Sequence, residues 1–81
     1  MPGEFSVCQF FEDGSYEYPR RYVPLDEATK AAVHYATSVG AKLGFTIRVI
    51  ITDGGDSIVA EWKKGEGFVF PPELKALIFP S

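Results

Sequence analysis

The sequence predicts a small α+β domain: two β-hairpins forming one four-stranded, mainly antiparallel sheet in ββαββ order, one helix on a face, and a short C-terminal helical segment. Three observations carry this reading. Aromatic and β-branched runs flank two turn-forming strings, Glu12-Asp13-Gly14-Ser15 and Asp53-Gly54-Gly55-Asp56. Between the two hairpins, the stretch from Leu25 to Gly40 changes to apolar spacings of three and four. At 81 residues the chain holds one core, so residues 1–81 form a single domain.

The first hairpin is FSVCQFF, Phe5 to Phe11, running through Asp13-Gly14 into YEYPRRYV, Tyr16 to Val23. A two-residue turn here places Phe5, Val7, Gln9, Phe11, Tyr16, Tyr18, Arg20 and Tyr22 on one face. Ser6, Cys8, Phe10, Glu17, Arg21 and Val23 then share the other. Pro19 has no N–H to give to a ladder, so the second strand belongs at a sheet edge or carries a bulge.

The helix follows, with Ala28, Ala32, Tyr35, Ala36 and Val39 on its apolar stripe. Pro24 near its start, Asp26 and Glu27 in the first turn, and Gly40 at its far end punctuate it.

FTIRVIIT, Phe45 to Thr52, and SIVAEWK, Ser57 to Lys63, make the second hairpin around DGGD. With Gly54-Gly55 as the turn, Ile51 pairs Ile58, Val49 pairs Ala60, Ile47 pairs Trp62 and Arg48 pairs Glu61. Phe45, Ile47, Val49, Ile51, Ile58, Ala60 and Trp62 then share the helix-side face. A helix of about 15 residues spans about 22 Å and returns the chain to where the preceding strand began. The expected strand order is 2-1-3-4, antiparallel throughout.

Four strands make a sheet about 19 Å wide, and one helix about 10 Å across roofs half of one face. With 15% aromatic residues to pack, another cover is needed. The tail from Pro71 to Phe79, with Leu74, Leu77 and Ile78 at helical spacing, is one cover. A second copy of the chain is the other, through an interface of Phe10, Val23, Ile50 and Val59 on the face away from the helix.

The totals exclude several functions. A net charge of -3 argues against coating nucleic acid or anionic lipid by bulk electrostatics. One cysteine, Cys8, precludes an internal disulfide, and with one histidine precludes a His/Cys metal centre, so no metal or other cofactor is expected. No apolar run reaches the length of a membrane span and MPGEFSV lacks a signal-peptide pattern, which makes cytoplasm the expected location.

Candidate chemistry is sparse. Asp53 and Asp56 at DGGD are too few oxygens for a calcium loop and repel phosphate, so they read as turn residues. His34 has no partner for metal or triad chemistry, and Cys8 in an apolar strand reads as a small hydrophobe. KKGEG, Lys63 to Gly67, lacks phosphate-loop spacing and reads as a loop returning Phe68 and Phe70 to the core. The chain therefore reads as a non-catalytic protein-interaction module that homodimerises. The alternative is a single-stranded nucleic-acid-binding module using Tyr18, Arg20, Arg21, Tyr22, Lys63 and Lys64.

The strings FSVCQFFEDGSYEYPRRYV and VIITDGGDSIVAEWKKGEGFVFPP, with the helix between them, resemble short uncharacterised proteins of soil and plant-associated bacteria. That resemblance implies a compact bacterial domain and carries no activity with it.

Overall fold

The computed structural model describes residues 4–55 and 57–69. Its strands are β1 (Phe5–Phe11), β2 (Tyr16–Val23), β3 (Thr46–Thr52), β4 (Ile58–Lys63) and β5 (Gly67–Val69), and its helices α1 (Leu25–Ala36) and α2 (Val39–Lys42). The strands form one sheet in the order β2-β1-β3-β4-β5, with every neighbouring pair antiparallel. The expected order of the first four strands holds. The sheet has a fifth strand where the sequence indicated only a loop: Phe68 pairs Trp62 and packs against the core. Phe70 and the tail from Pro71 to Phe79 lie outside the described residues.

Helix α1 starts where Pro24 turns the chain and its carbonyl accepts the Ala28 amide at 2.9 Å. The helix is shorter than its apolar pattern indicated because Thr37 and Ser38 compete for its last carbonyls. Thr37 Oγ1 donates to the Val33 carbonyl at 2.7 Å and Ser38 Oγ to that of Tyr35 at 2.8 Å. Ser38 then caps α2, its hydroxyl accepting the Ala41 amide at 3.2 Å. Gly44, at φ +89°, turns the chain from α2 into β3, a conformation that glycine adopts without steric cost.

The core lies between α1 and the sheet. Ala28, Ala31, Ala32 and Ala36 let the helix approach Val7, Val49, Ile51 and Ala60, all buried. Leu25, Tyr35, Phe5 and Trp62 pack around that cluster. Val39, expected on the buried stripe, is exposed because the helix breaks before it.

Register departs from the two-residue-turn expectation in both hairpins. Asp53 Oδ1 accepts the amides of Gly55 at 2.8 Å and Ser57 at 3.0 Å, and the Asp53 amide donates to the Ser57 carbonyl. DGGD is thus a turn, as expected, but a longer one; Asp56 itself lies outside the described residues. Ile51 now pairs Ala60 and Val49 pairs Trp62, a slip of two residues that keeps those four side chains on the helix side. A bulge breaks this register at Val59, which packs against the helix-side core instead of facing away from it.

In the first hairpin Phe10 pairs Tyr16 and Gln9 pairs Glu17, a slip of one residue that exchanges faces. Two bulges then follow: Tyr18 and Pro19 oppose Cys8, and Arg21 and Tyr22 oppose Ser6. Pro19 thus sits on an edge strand and in a bulge at once. Tyr16 and Tyr18 join Phe10 on the open face, whereas Glu17 and Val23 join the helix side. Gln9, bonded to Glu17 at 2.5 Å, also accepts the Thr46 hydroxyl at 3.1 Å in the interior.

A last bulge lies where Phe10 pairs Arg48 and Phe11 pairs Thr46. It buries Thr46 and leaves Phe45 and Ile47, expected in the core, at the surface.

Candidate interaction surfaces

The sheet face away from α1 is set out by the pairing. Tyr16, Tyr18 and Arg21 of β2 lie beside Phe10, Cys8 and Ser6 of β1, then Arg48, Ile50 and Thr52 of β3, then Lys63 and Glu61 of β4. No helix covers this face among the described residues, yet Cys8 is 1% and Ile50 7% exposed. Long side chains pack against one another on this face. The Arg21 guanidinium lies 4.2 Å from the Tyr18 ring centre, and that of Arg48 lies 5.1 Å from Phe10. Phe10 and Tyr16 pack at 5.9 Å, and Tyr16 and Tyr18 meet edge to face at 6.1 Å. Arg and Tyr stems can shield apolar floor while their polar ends stay wet.

Two of the four residues expected at the interface lie on the other side of the sheet. Of Phe10, Val23, Ile50 and Val59, the second and fourth belong to the helix-side core, Ile50 is already sealed, and Phe10 carries Arg48 across its ring. Burial pushes the Cys8 thiol above its ordinary titration range, with a hydrogen bond to Tyr18 pulling the other way.

The six residues of the nucleic-acid alternative divide between surfaces. Tyr18, Arg21 and Tyr22 line one cleft of about 160 Å³ with Ser6, Thr52, Asp53 and Gly54. Tyr22 holds φ +56° there, an uncommon conformation for a bulky residue, and its amide donates weakly to Ser6 Oγ at 3.4 Å. Lys63 stands at the far side of the open face, 3.9 Å from Glu61. Arg20 is turned to the helix side and Lys64 lies against Gly44. Arg48 and Glu61 form an ion pair, as expected, across a diagonal rather than directly opposite.

A second surface was not foreseen. Val39, Leu43, Phe45 and Ile47 are 71%, 66%, 53% and 38% exposed, and all belong to the corner where α2 turns into β3. The corner is a built structure: the Phe45 amide donates to the Gly40 carbonyl at 2.8 Å, Gly44 to Ala41 at 3.1 Å, and Glu12 to the Phe45 carbonyl at 3.0 Å. Its sequence signal is Gly40 and Gly44 around an apolar residue, Leu43, at the point where the helical period fails.

Among the described residues no three His, Cys, Asp or Glu side chains gather as a metal site, and no helix is long and apolar enough to cross a membrane. No protein-family model, curated protein or solved structure matches the chain.

Proposed function

We propose that the chain is a non-catalytic protein-interaction module that homodimerises, and that it does so through the α2–β3 corner. The observation that supports this is four large apolar side chains held at the surface by a hydrogen-bonded turn. Scattered single hydrophobes are ordinary on a surface, whereas four within nine residues of one ordered corner offer the kind of apolar area proteins bury against a partner. A two-fold pairing needs only that this patch complement itself. A lone buried thiol suits a reducing compartment, and the bacterial cytoplasm is the location we assign.

Leu43→Lys tests the contact without disturbing the core, since Leu43 is exposed at the helix end. Size exclusion with light scattering is expected to show a dimer for the parent and a monomer for the variant, with equal far-ultraviolet spectra. Equal masses for both chains contradict this placement of the interface.

A second reading rests on the open face. Arg21, Arg48 and Lys63 stand there against one carboxylate, Glu61, beside exposed Tyr16 and Tyr18, although the chain as a whole is acidic. Ring faces beside cations bind unpaired bases at about 1–3 kcal/mol per stacked base. Titration of short single strands is expected to quench tyrosine fluorescence and to weaken steeply with salt. Absence of binding at low salt removes this reading.

A further inference from the structure

Side chains alternate along β2, and the bulge at Pro19 sets which side of the sheet each of two consecutive arginines takes. Arg21 stays with Tyr18 on the open face, while Arg20 turns toward α1. There it lines a groove of about 240 Å³ together with Glu27, Lys30, Ala31, His34 and Tyr35. Glu27, Lys30, Ala31 and His34 stand at positions i, i+3, i+4 and i+7, so they share one face of the helix, on the side of the edge strand. Bulges commonly re-aim a side chain next to a working site.

The cations of this groove are uncommitted. Arg20 uses one nitrogen, Nη1, to donate to the Pro19 carbonyl at 2.7 Å. Every ion pair among the described residues involves Glu61, so neither Arg20 nor Lys30 is paired with Glu27. His34 stands edge-on to Tyr35 at 5.0 Å, which holds one flank of the imidazole against a ring.

We infer that this groove is a site for a small phosphate-bearing ligand, a phosphomonoester with a ring or chain beyond the phosphate. The guanidinium fork matches two phosphate oxygens, Lys30 adds a point charge, and an imidazole N–H supplies a third donor. A groove of about 240 Å³ exceeds what inorganic phosphate fills, and Tyr35 offers an apolar surface to the remainder of the ligand. Glu27 supplies an acceptor for a hydroxyl or amine on that remainder. The site is distinct from the α2–β3 corner and does not depend on dimerisation.

His34 is the chain's one histidine, so its ring protons are an unambiguous nuclear magnetic resonance reporter inside the groove. Titration with phenyl phosphate at fixed pH and ionic strength, with inorganic phosphate and sodium chloride as parallel arms, is expected to give a saturable shift. Phenyl phosphate should bind tightest and chloride should give no saturation. Arg20→Gln is expected to weaken binding at least about tenfold. A linear response to phenyl phosphate, or equal affinity in Arg20→Gln, overturns the proposal. If that variant loses its dispersed amide spectrum, Lys30→Gln on the exposed helix surface decides by the same criterion.

Discussion

Ile50 and Ile51 are adjacent in β3 and point to opposite faces, so truncating each in turn compares the two covers of the sheet. Ile51 is 1% exposed, lies between Val7 and Ala60 in the pairing, and meets the alanine ridge of α1. Removing its outer carbons leaves a cavity that short alanines on a helix cannot refill. The expected cost of Ile51→Ala is therefore near the upper part of the usual range, about 3–5 kcal/mol. A chain of this length has about 4–12 kcal/mol in total, so the variant should be close to unfolding. Even 3 kcal/mol corresponds to a fall in Tm of about 12–24 °C for a domain of this size.

Ile50 is 7% exposed on the face that no helix covers among the described residues, beside Phe10 and Arg48, whose long side chains can shift toward vacated space more readily than a helix can. Ile50→Ala should cost about 1–2 kcal/mol less than its neighbour, because cost depends on how far a site collapses. Urea melts followed by Trp62 fluorescence measure both, with the slope serving as a check that each variant unfolds in one step. Equal losses, or a larger loss at Ile50, refute the account of a rigid helical cover on one side and an adaptable side-chain cover on the other.

Other perturbations test individual elements. Cys8 should react slowly with a thiol reagent at mild alkaline pH, and Tyr18→Ala should speed that reaction by uncovering it; equal rates contradict the side-chain cover. Because the folded thiol titrates above its unfolded value, stability is full below the ordinary thiol range and falls as pH rises through the folded value; Cys8→Ser should flatten that alkaline loss in a chemical-denaturation series. Asp13 behaves oppositely. The hydroxyl and amide of Ser15 hold its carboxyl below the usual range, so the loop they close is secure above that range and loosens as pH falls through the lowered value, which amide exchange at Gly14 and Ser15 should report. Tyr22→Asn, which tolerates φ +56°, should raise stability by up to about 1 kcal/mol, and a loss of 1 kcal/mol or more shows that the Tyr22 ring outweighs its backbone strain.

Strand identity and order were legible because they depend on coarse signals. The turn strings, the switch to helical spacing at Leu25 and the length of that helix fix two hairpins joined by a crossover, and the antiparallel order of the first four strands follows. Register was less legible because it depends on how one carboxylate is used. Asp53 accepts two amides across its loop and lengthens it, a choice that the letters DGGD share with a two-residue turn. In the second hairpin the slip is even and the faces survive. In the first it is odd, and Tyr16, Tyr18, Glu17 and Val23 exchange sides.

The candidate interface is divided because the bulges carry Val23 and Val59 to the helix side while Phe10 and Ile50 stay on the open face. Counting helices against strands also leaves out long side chains such as Arg21 and Arg48, which pack over the Tyr18 and Phe10 rings on the open face. The exposed corner was hidden by the same pattern that revealed the helix. Val39 continues the apolar stripe in sequence, but two hydroxyls that bond back to carbonyls end α1 before it. From there Val39, Leu43, Phe45 and Ile47 are carried outward.

Sedimentation equilibrium of the parent chain over about 1–100 μM tests most directly whether that corner meets a second copy of itself. The average mass is expected to climb from 8.9 kDa toward twice that value as concentration rises. A single mass of 8.9 kDa over the whole range contradicts it.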